Sequence, residues 1–202
     1  MTECPLLVRH TAVARAWAGR CYGASDVPLS RAGRAALAPL AIALGSTSPV
    51  WVMHSGRVRT RLLAERIASV AQCPLLEDKD WRERNFGTWE GESWAAIYRA
   101  TGNAMDGMID APATFRPGGG ETTLELAARV RRAWQRLPDT MGVVVTHGGP
   151  IAALVGQLSG EPVAAWPGLI PAPGGAVAVA RANRQPEPGA GQCRLHAKWN
   201  KL

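Results

Sequence analysis

Two of the four histidines in this 202-residue chain end apolar runs of the kind that make buried strands. Leu6-Leu7-Val8 leads into Arg9-His10-Thr11, and Val143-Val144-Val145-Thr146 leads into His147-Gly148-Gly149-Pro150. In an open α/β sheet, ligands collect outside the carboxyl ends of the strands, so both imidazoles are expected at one binding edge. Their neighbours suit an anion. Arg9 offers a planar fork that pairs bidentately with phosphate oxygens. The glycines after His147 open a helix whose first N–H groups and dipole favour negative charge.

Other reactive side chains are less well placed. Ser55 has no G-x-S-x-G elbow around it and reads as a loop cap, not a nucleophile. Cys4, Cys21, Cys73 and Cys193 are scattered, without a C-x-x-C pair or clustered histidine. They are expected to be free thiols, and no metal site or cofactor is expected. A net charge of +7 and a pI of about 9.9 suit nucleic acid, an anionic membrane surface or phosphorylated small molecules. The arginines form no basic run and are not interleaved with aromatics. A phosphorylated small molecule is therefore the expected partner, with neither nucleic acid nor membrane. No apolar run approaches the ~20 residues a spanning helix needs. The first residues lack the basic start and long apolar stretch of a signal peptide, so a cytoplasmic location is expected.

The elements that must position these residues follow from patterning. Apolar runs at 6–8, 50–53, 74–76 and 143–146 read as strands. Ser30 offers an N-cap to a helix carrying Ala35, Leu37, Leu40, Ala41 and Leu44, which Pro39 should kink or end. Further helices are expected from Arg57 to Ala71, Trp94 to Tyr98, Thr123 to Leu137 and His147 to Leu158. Residues 101–121 are rich in Gly, Met, Asp and Pro and read as a loop or lid. Ala176-Val177-Ala178-Val179 and Leu195-His196-Ala197 suggest a final hairpin across a flexible connection at 183–192. With 47% hydrophobic residues, the expected fold is a single three-layer α/β/α domain over 1–202. Its sheet should be mostly parallel, with helices on both faces. Monomer and homodimer both stay open.

Val8-Arg9-His10-Thr11 together with Thr146-His147-Gly148-Gly149 resembles the histidine phosphatase superfamily, the phosphoglycerate mutase-like proteins. Three further segments extend the resemblance in chain order. Ser55-Gly56-Arg57-Val58-Arg59 resembles the serine and arginine segment after the second strand. Glu83-Arg84-Asn85-Phe86-Gly87-Thr88-Trp89-Glu90-Gly91 resembles the acidic loop. Pro117-Gly118-Gly119-Gly120-Glu121-Thr122 resembles the stretch before a later helix. The resemblance implies that His10 is the nucleophile, that Arg9, Arg59, His147 and Gly148 hold phosphate, and that Glu83 exchanges protons with the leaving alcohol and with water. Arg9 and Arg59 should also lower the pKa of His10. Glu90 is the competing acid in the loop, and Trp89 is a candidate for the pocket wall. No metal is required if the arginines supply the positive charge.

The first motif departs from the usual family pattern. Thr11, Ala12 and Val13 follow His10, and Ala16 stands where an asparagine is common. Phosphoglycerate mutase activity is thereby put in question. Gly19-Arg20-Cys21-Tyr22-Gly23-Ala24-Ser25-Asp26-Val27-Pro28-Leu29 resembles a stretch of the alpha-ribazole phosphatases of cobalamin synthesis. That resemblance makes Thr11, Cys21, Tyr22 and Gly23 a candidate substrate loop. Another small-molecule phosphatase, and a non-catalytic phosphate-binding relative, stay open beside it.

Overall fold

The computed structural model describes residues 4–180. Strand β1 (Leu6–Arg9) is followed by a turn-rich segment and two short helices, α1 (Arg31–Ala35) and α2 (Leu37–Gly45). Ser30 caps α1 by accepting the Gly33 N–H at 2.9 Å. The break at Ala36 falls where Pro39 has no N–H to return to the Ala35 carbonyl. Strand β2 (Val52–His54) leads into α3 (Val58–Ala71), which ends at Gln72 in the left-handed region. Strand β3 (Leu75–Glu77), α4 (Trp94–Thr101) and α5 (Gly107–Asp110) follow. Helix α6 (Thr123–Arg136) starts with a capping box in which Thr122 and Glu125 satisfy each other's backbone N–H groups. Strand β4 (Val143–Thr146), α7 (Gly148–Ser159) and β5 (Ala176–Ala178) complete the described elements.

The sheet has the order β3-β2-β4-β1-β5. Its first four strands are parallel, and β5 closes one edge antiparallel to β1. Side chains alternate strictly through the centre. Leu7, Met53 and Val144 face α6 and α7, packing with Leu126, Val130, Ile151 and Leu154. Val8, Val52, Val143 and Val145 face α2 and α3, packing with Leu37, Leu44, Leu63 and Ile67. Period-2 alternation with both faces apolar is what a sheet sandwiched between helix layers requires. The result is the expected three-layer α/β/α architecture.

Several expectations need correction. Strand β2 begins at Val52, and Val50 is exposed. Strand β5 pairs with β1, taking Leu7 opposite Val177. The other arm suggested at 195–197, the connection at 183–192 and Cys193 lie outside the described residues. The stretch 101–121 is not a plain loop. It holds a 3-10 segment at Gly102–Asp106, α5, and a turn at Pro117–Gly119. Short helical turns satisfy backbone groups that a packed, irregular loop would leave unpaired.

Candidate active site

The carboxyl ends of the central strands β1, β4 and β2 carry His10, His147 and Ser55, all buried. The backbone ties the first two strand ends together, because the His10 N–H reaches the Thr146 carbonyl at 3.0 Å. The two rings meet edge to face with centroids 5.2 Å apart.

His10 is held in one protonation state. Its Nδ1 lies 2.7 Å from the Thr11 carbonyl oxygen, which can only accept, so Nδ1 carries the proton. The neutral ring therefore keeps its lone pair on Nε2. Burial is the main force pushing its pKa down to about 3, followed by the Arg59 charge, with Arg9 contributing less. The two arginines are thus secondary to desolvation. Above pH 4 the ring is a neutral base with a defined free nitrogen.

The cations around His10 lack carboxylate partners. Arg9 donates from Nη1 to the Pro171 carbonyl at 2.8 Å, while its Nε is buried with no partner. Arg59 is fully buried, donating from Nε to His147 Nδ1 at 3.2 Å and from its terminal nitrogens to the carbonyls of Gly23 and Ser25. One N–H remains on each of those terminal nitrogens. Burial lowers the Arg59 pKa, with Glu83 opposing. Buried guanidinium groups with no carboxylate to pair against favour an incoming anion.

Glu83 stands at the mouth of this site. Its carboxylate accepts the Arg84 N–H at 2.9 Å and the Gly149 N–H at 3.1 Å, which places it at the amino end of α7. It faces two cavities. One, of about 500 Å³, also contains Arg9, His10 and Gly149. The other, of about 460 Å³, contains Lys79, Arg82 and Arg129. Glu90 does different work. Its two oxygens accept from the N–H groups of Ala24, Ser25 and Phe86 and from the Ser25 hydroxyl, tying the 24–25 turn to the acidic loop. It faces neither cavity.

The structure rearranges the other sequence-derived candidates. Gly149, and not Gly148, lines the His10 cavity; Gly148 packs against Arg9 and Ile170. Tyr22 and Gly23 line it too. Cys21 does not: its thiol is buried in the protein, where desolvation and then Glu90 push its pKa up to about 12. The Thr11 hydroxyl is buried without a partner and is also off the cavity wall. Trp89 packs against Phe115 and leaves the wall to Phe86 and Trp94. Beyond the phosphate-sized end, the cavity is walled by Met105, Met108, Ile109, Trp166 and Ile170, with Arg20 and Arg84 among them. Sequence reasoning missed that wall, although Met105, Met108 and Ile109 fall at the i, i+3, i+4 spacing of one helical face. Among the described residues, no three His, Cys, Asp or Glu side chains converge as a metal site, and no helix is long and apolar enough to cross a membrane.

The chain belongs to the histidine phosphatase superfamily (branch 1), whose family model matches residues 6–188. It is accordingly a phosphatase or mutase-like enzyme of that superfamily. A glucosyl-3-phosphoglycerate phosphatase of Mycobacterium tuberculosis is 32% identical over 177 residues, covering 81% of this chain and 78% of that protein. A probable phosphoglycerate mutase GpmB of Photorhabdus laumondii is 31% identical, covering 77% of this chain and 74% of the other. The mycobacterial glucosyl-3-phosphoglycerate phosphatase in complex with VO3 superposes with a TM-score of 0.77 at 29% identity, covering 87% and 90% of the two chains. An alpha-ribazole phosphatase from Shigella flexneri shares the fold, with a TM-score of 0.77 at 22% identity, covering 88% and 90%.

Proposed function

We propose that the chain hydrolyses phosphomonoesters through a phosphohistidine on His10 Nε2, without a metal. The observation that carries this reading is the protonation state of His10, neutral and with its lone pair on Nε2 beside two arginines that lack acidic partners. Phosphate enters with its oxygens on Arg9, on the remaining N–H groups of Arg59 and at the opening of α7. The Nε2 lone pair attacks phosphorus while the ester P–O bond breaks, and Glu83 gives its proton to the departing alkoxide oxygen. Water then attacks the phosphohistidine, Glu83 takes back a proton, and the N–P bond breaks to release phosphate. The arginines stabilise the charge that spreads over the equatorial oxygens.

For the substrate, the reading follows the apolar wall. A leaving alcohol with a flat apolar face fits Phe86, Trp94, Met108 and Trp166 better than a bare polyol, whose hydroxyls would lose water without gaining partners. With the Gly19–Leu29 stretch, this favours alpha-ribazole 5'-phosphate or the corresponding cobalamin phosphate. A second reading, a glycerate phosphate ester, is favoured by the similarity to the glucosyl-3-phosphoglycerate phosphatases and by Arg84, a buried cation without a carboxylate partner at the cavity wall.

The test is phosphate release from alpha-ribazole 5'-phosphate, glucosyl-3-phosphoglycerate, 3-phosphoglycerate and p-nitrophenyl phosphate, with chelator present. The expected order of kcat/KM puts alpha-ribazole 5'-phosphate first, with no loss to chelator. A preference for the glycerate esters would replace the substrate assignment. Full activity in His10→Ala would remove the mechanism.

A further inference from the structure

The second histidine has both ring nitrogens occupied. Arg59 Nε–H can only donate, so His147 Nδ1 must accept and carries no proton. The proton of the neutral ring therefore lies on Nε2, which is 2.8 Å from the Ser55 hydroxyl. Ser55 Oγ lies 2.9 Å from Thr60 Oγ1, and Thr60 Oγ1 lies 2.8 Å from the Arg57 carbonyl oxygen, which can only accept. Each hydroxyl has one proton, so only one direction satisfies all the atoms. His147 Nε2–H donates to Ser55, Ser55 to Thr60, and Thr60 to the Arg57 carbonyl. His147, Ser55 and Thr60 are each fully enclosed, so no water competes for these bonds.

We propose that Ser55 and Thr60 are positioning residues that hold the His147 proton on Nε2, so that His147 donates to a phosphoryl oxygen only after Nδ1 has itself been protonated. The idea rests on the phosphatase reading above. The proton comes from the phosphate monoanion as it binds. Its oxygen takes the Arg59 Nε–H contact, and Nδ1–H of the resulting imidazolium then donates back to phosphate. Two features assist this. The bound phosphate is an anion beside the new cation, and the hydroxyl chain passes the extra charge on Nε2–H to a carbonyl at the start of α3. Opposing it are burial and the positive charges facing His147: Arg59 and Arg57 from the α3 side, Arg129 from α6, and His10 when protonated. Ser55 sits in β2's terminal turn and Thr60 in the first turn of α3, so the two elements that frame the site also set this tautomer.

The experiment is nitrogen-15 NMR of histidine-labelled protein, unliganded and with vanadate, combined with pH profiles of kcat/KM for wild type, Thr60→Val and Thr60→Ser. Thr60→Val keeps the shape and removes the donor that ends the chain. We expect a protonated Nε2 and a bare Nδ1 on His147 in the unliganded protein, and protonation of both nitrogens with vanadate bound. Cutting the chain beyond Ser55 weakens the acceptor that His147 Nε2–H needs as an imidazolium, which should lower kcat/KM about tenfold and move the alkaline limb down by about one pH unit in Thr60→Val. Thr60→Ser should restore both. A wild-type His147 protonated on Nδ1 without ligand would overturn the proposal even if Thr60→Val does not fold. So would a Thr60→Val enzyme with the wild-type profile. A wild-type chain inactive on every ester would instead overturn the phosphatase reading, since the tautomer is read without substrate.

Discussion

The neutrality of His10 has a measurable thermodynamic counterpart. In an unfolded chain this imidazole titrates near 6.5, whereas in the folded protein burial and Arg59 hold it at about 3. Between those values the unfolded state binds more protons than the native state. Stability must therefore be intact above pH 6.5 and fall as the pH drops through that window. Each unit is worth about 1.4 kcal/mol, so His10 alone should remove roughly 3 kcal/mol between pH 8 and pH 4.5. The perturbation is His10→Asn, whose side-chain amide can still donate to the Thr11 carbonyl in place of Nδ1–H but does not titrate. Urea unfolding followed by tryptophan fluorescence at both pH values gives the double difference. Burial also lowers the pKa of His54 and His147, but both remain in each protein, so their contribution largely cancels. Wild type should lose roughly 3 kcal/mol more than the variant on acidification. Equal losses would mean that His10 is not held neutral, and the account of Nε2 as a ready nucleophile would fail.

Glu83→Gln should cut turnover of alkyl phosphates by about 10²–10⁴-fold, with a burst of alcohol appearing for p-nitrophenyl phosphate because that leaving group needs little protonation. Equal losses on both esters would argue against the acid role. Gly149→Ala places a methyl carbon 2.2 Å from a Glu83 oxygen, so it should mimic much of the Glu83→Gln defect, read as the same burst with p-nitrophenyl phosphate. Glu90→Ala strips four donors from one acceptor group; a melting scan should show a loss of about 2–4 kcal/mol together with a raised KM. Cys21 should resist iodoacetamide in the native protein at pH 8 and react only on unfolding, as mass spectrometry would record.

The sheet was legible because its strands are short apolar runs with little competing periodicity, and because His10 and His147 end two of them. The architecture and the meeting of Arg9, His10 and Glu83 at one cavity, with His147 enclosed beside His10, followed from that patterning and from the motif resemblance. What could not be read was direction and depth. Ser55 reads as a loop residue because nothing in its neighbours announces a buried hydroxyl chain to His147. Glu90 and Glu83 are seven positions apart in one acidic loop, and only the fold sends one to the 24–25 turn and the other to α7. Cys21 and Thr11 are adjacent in sequence to residues near the cleft, yet their side chains turn into the protein. Residues 101–121 misled through composition: glycine and proline suggest an irregular loop, while the Met105, Met108 and Ile109 spacing marks a helical wall.

That wall differs from the rest of the cleft in what a change there would risk. His10, His147 and Ser55 are fastened to strands at the centre of the sheet, where a substitution disturbs both helix layers. Met105, Met108 and Ile109 hang from one-turn helices with little share in either core cluster. Substitutions at these positions can be accepted without spending much of a marginal folding stability. Such a chain can drift in which alcohol it releases while its phosphoryl chemistry stays fixed. Lineages built on this plan are free to be recruited to new metabolites by a handful of changes in one short stretch.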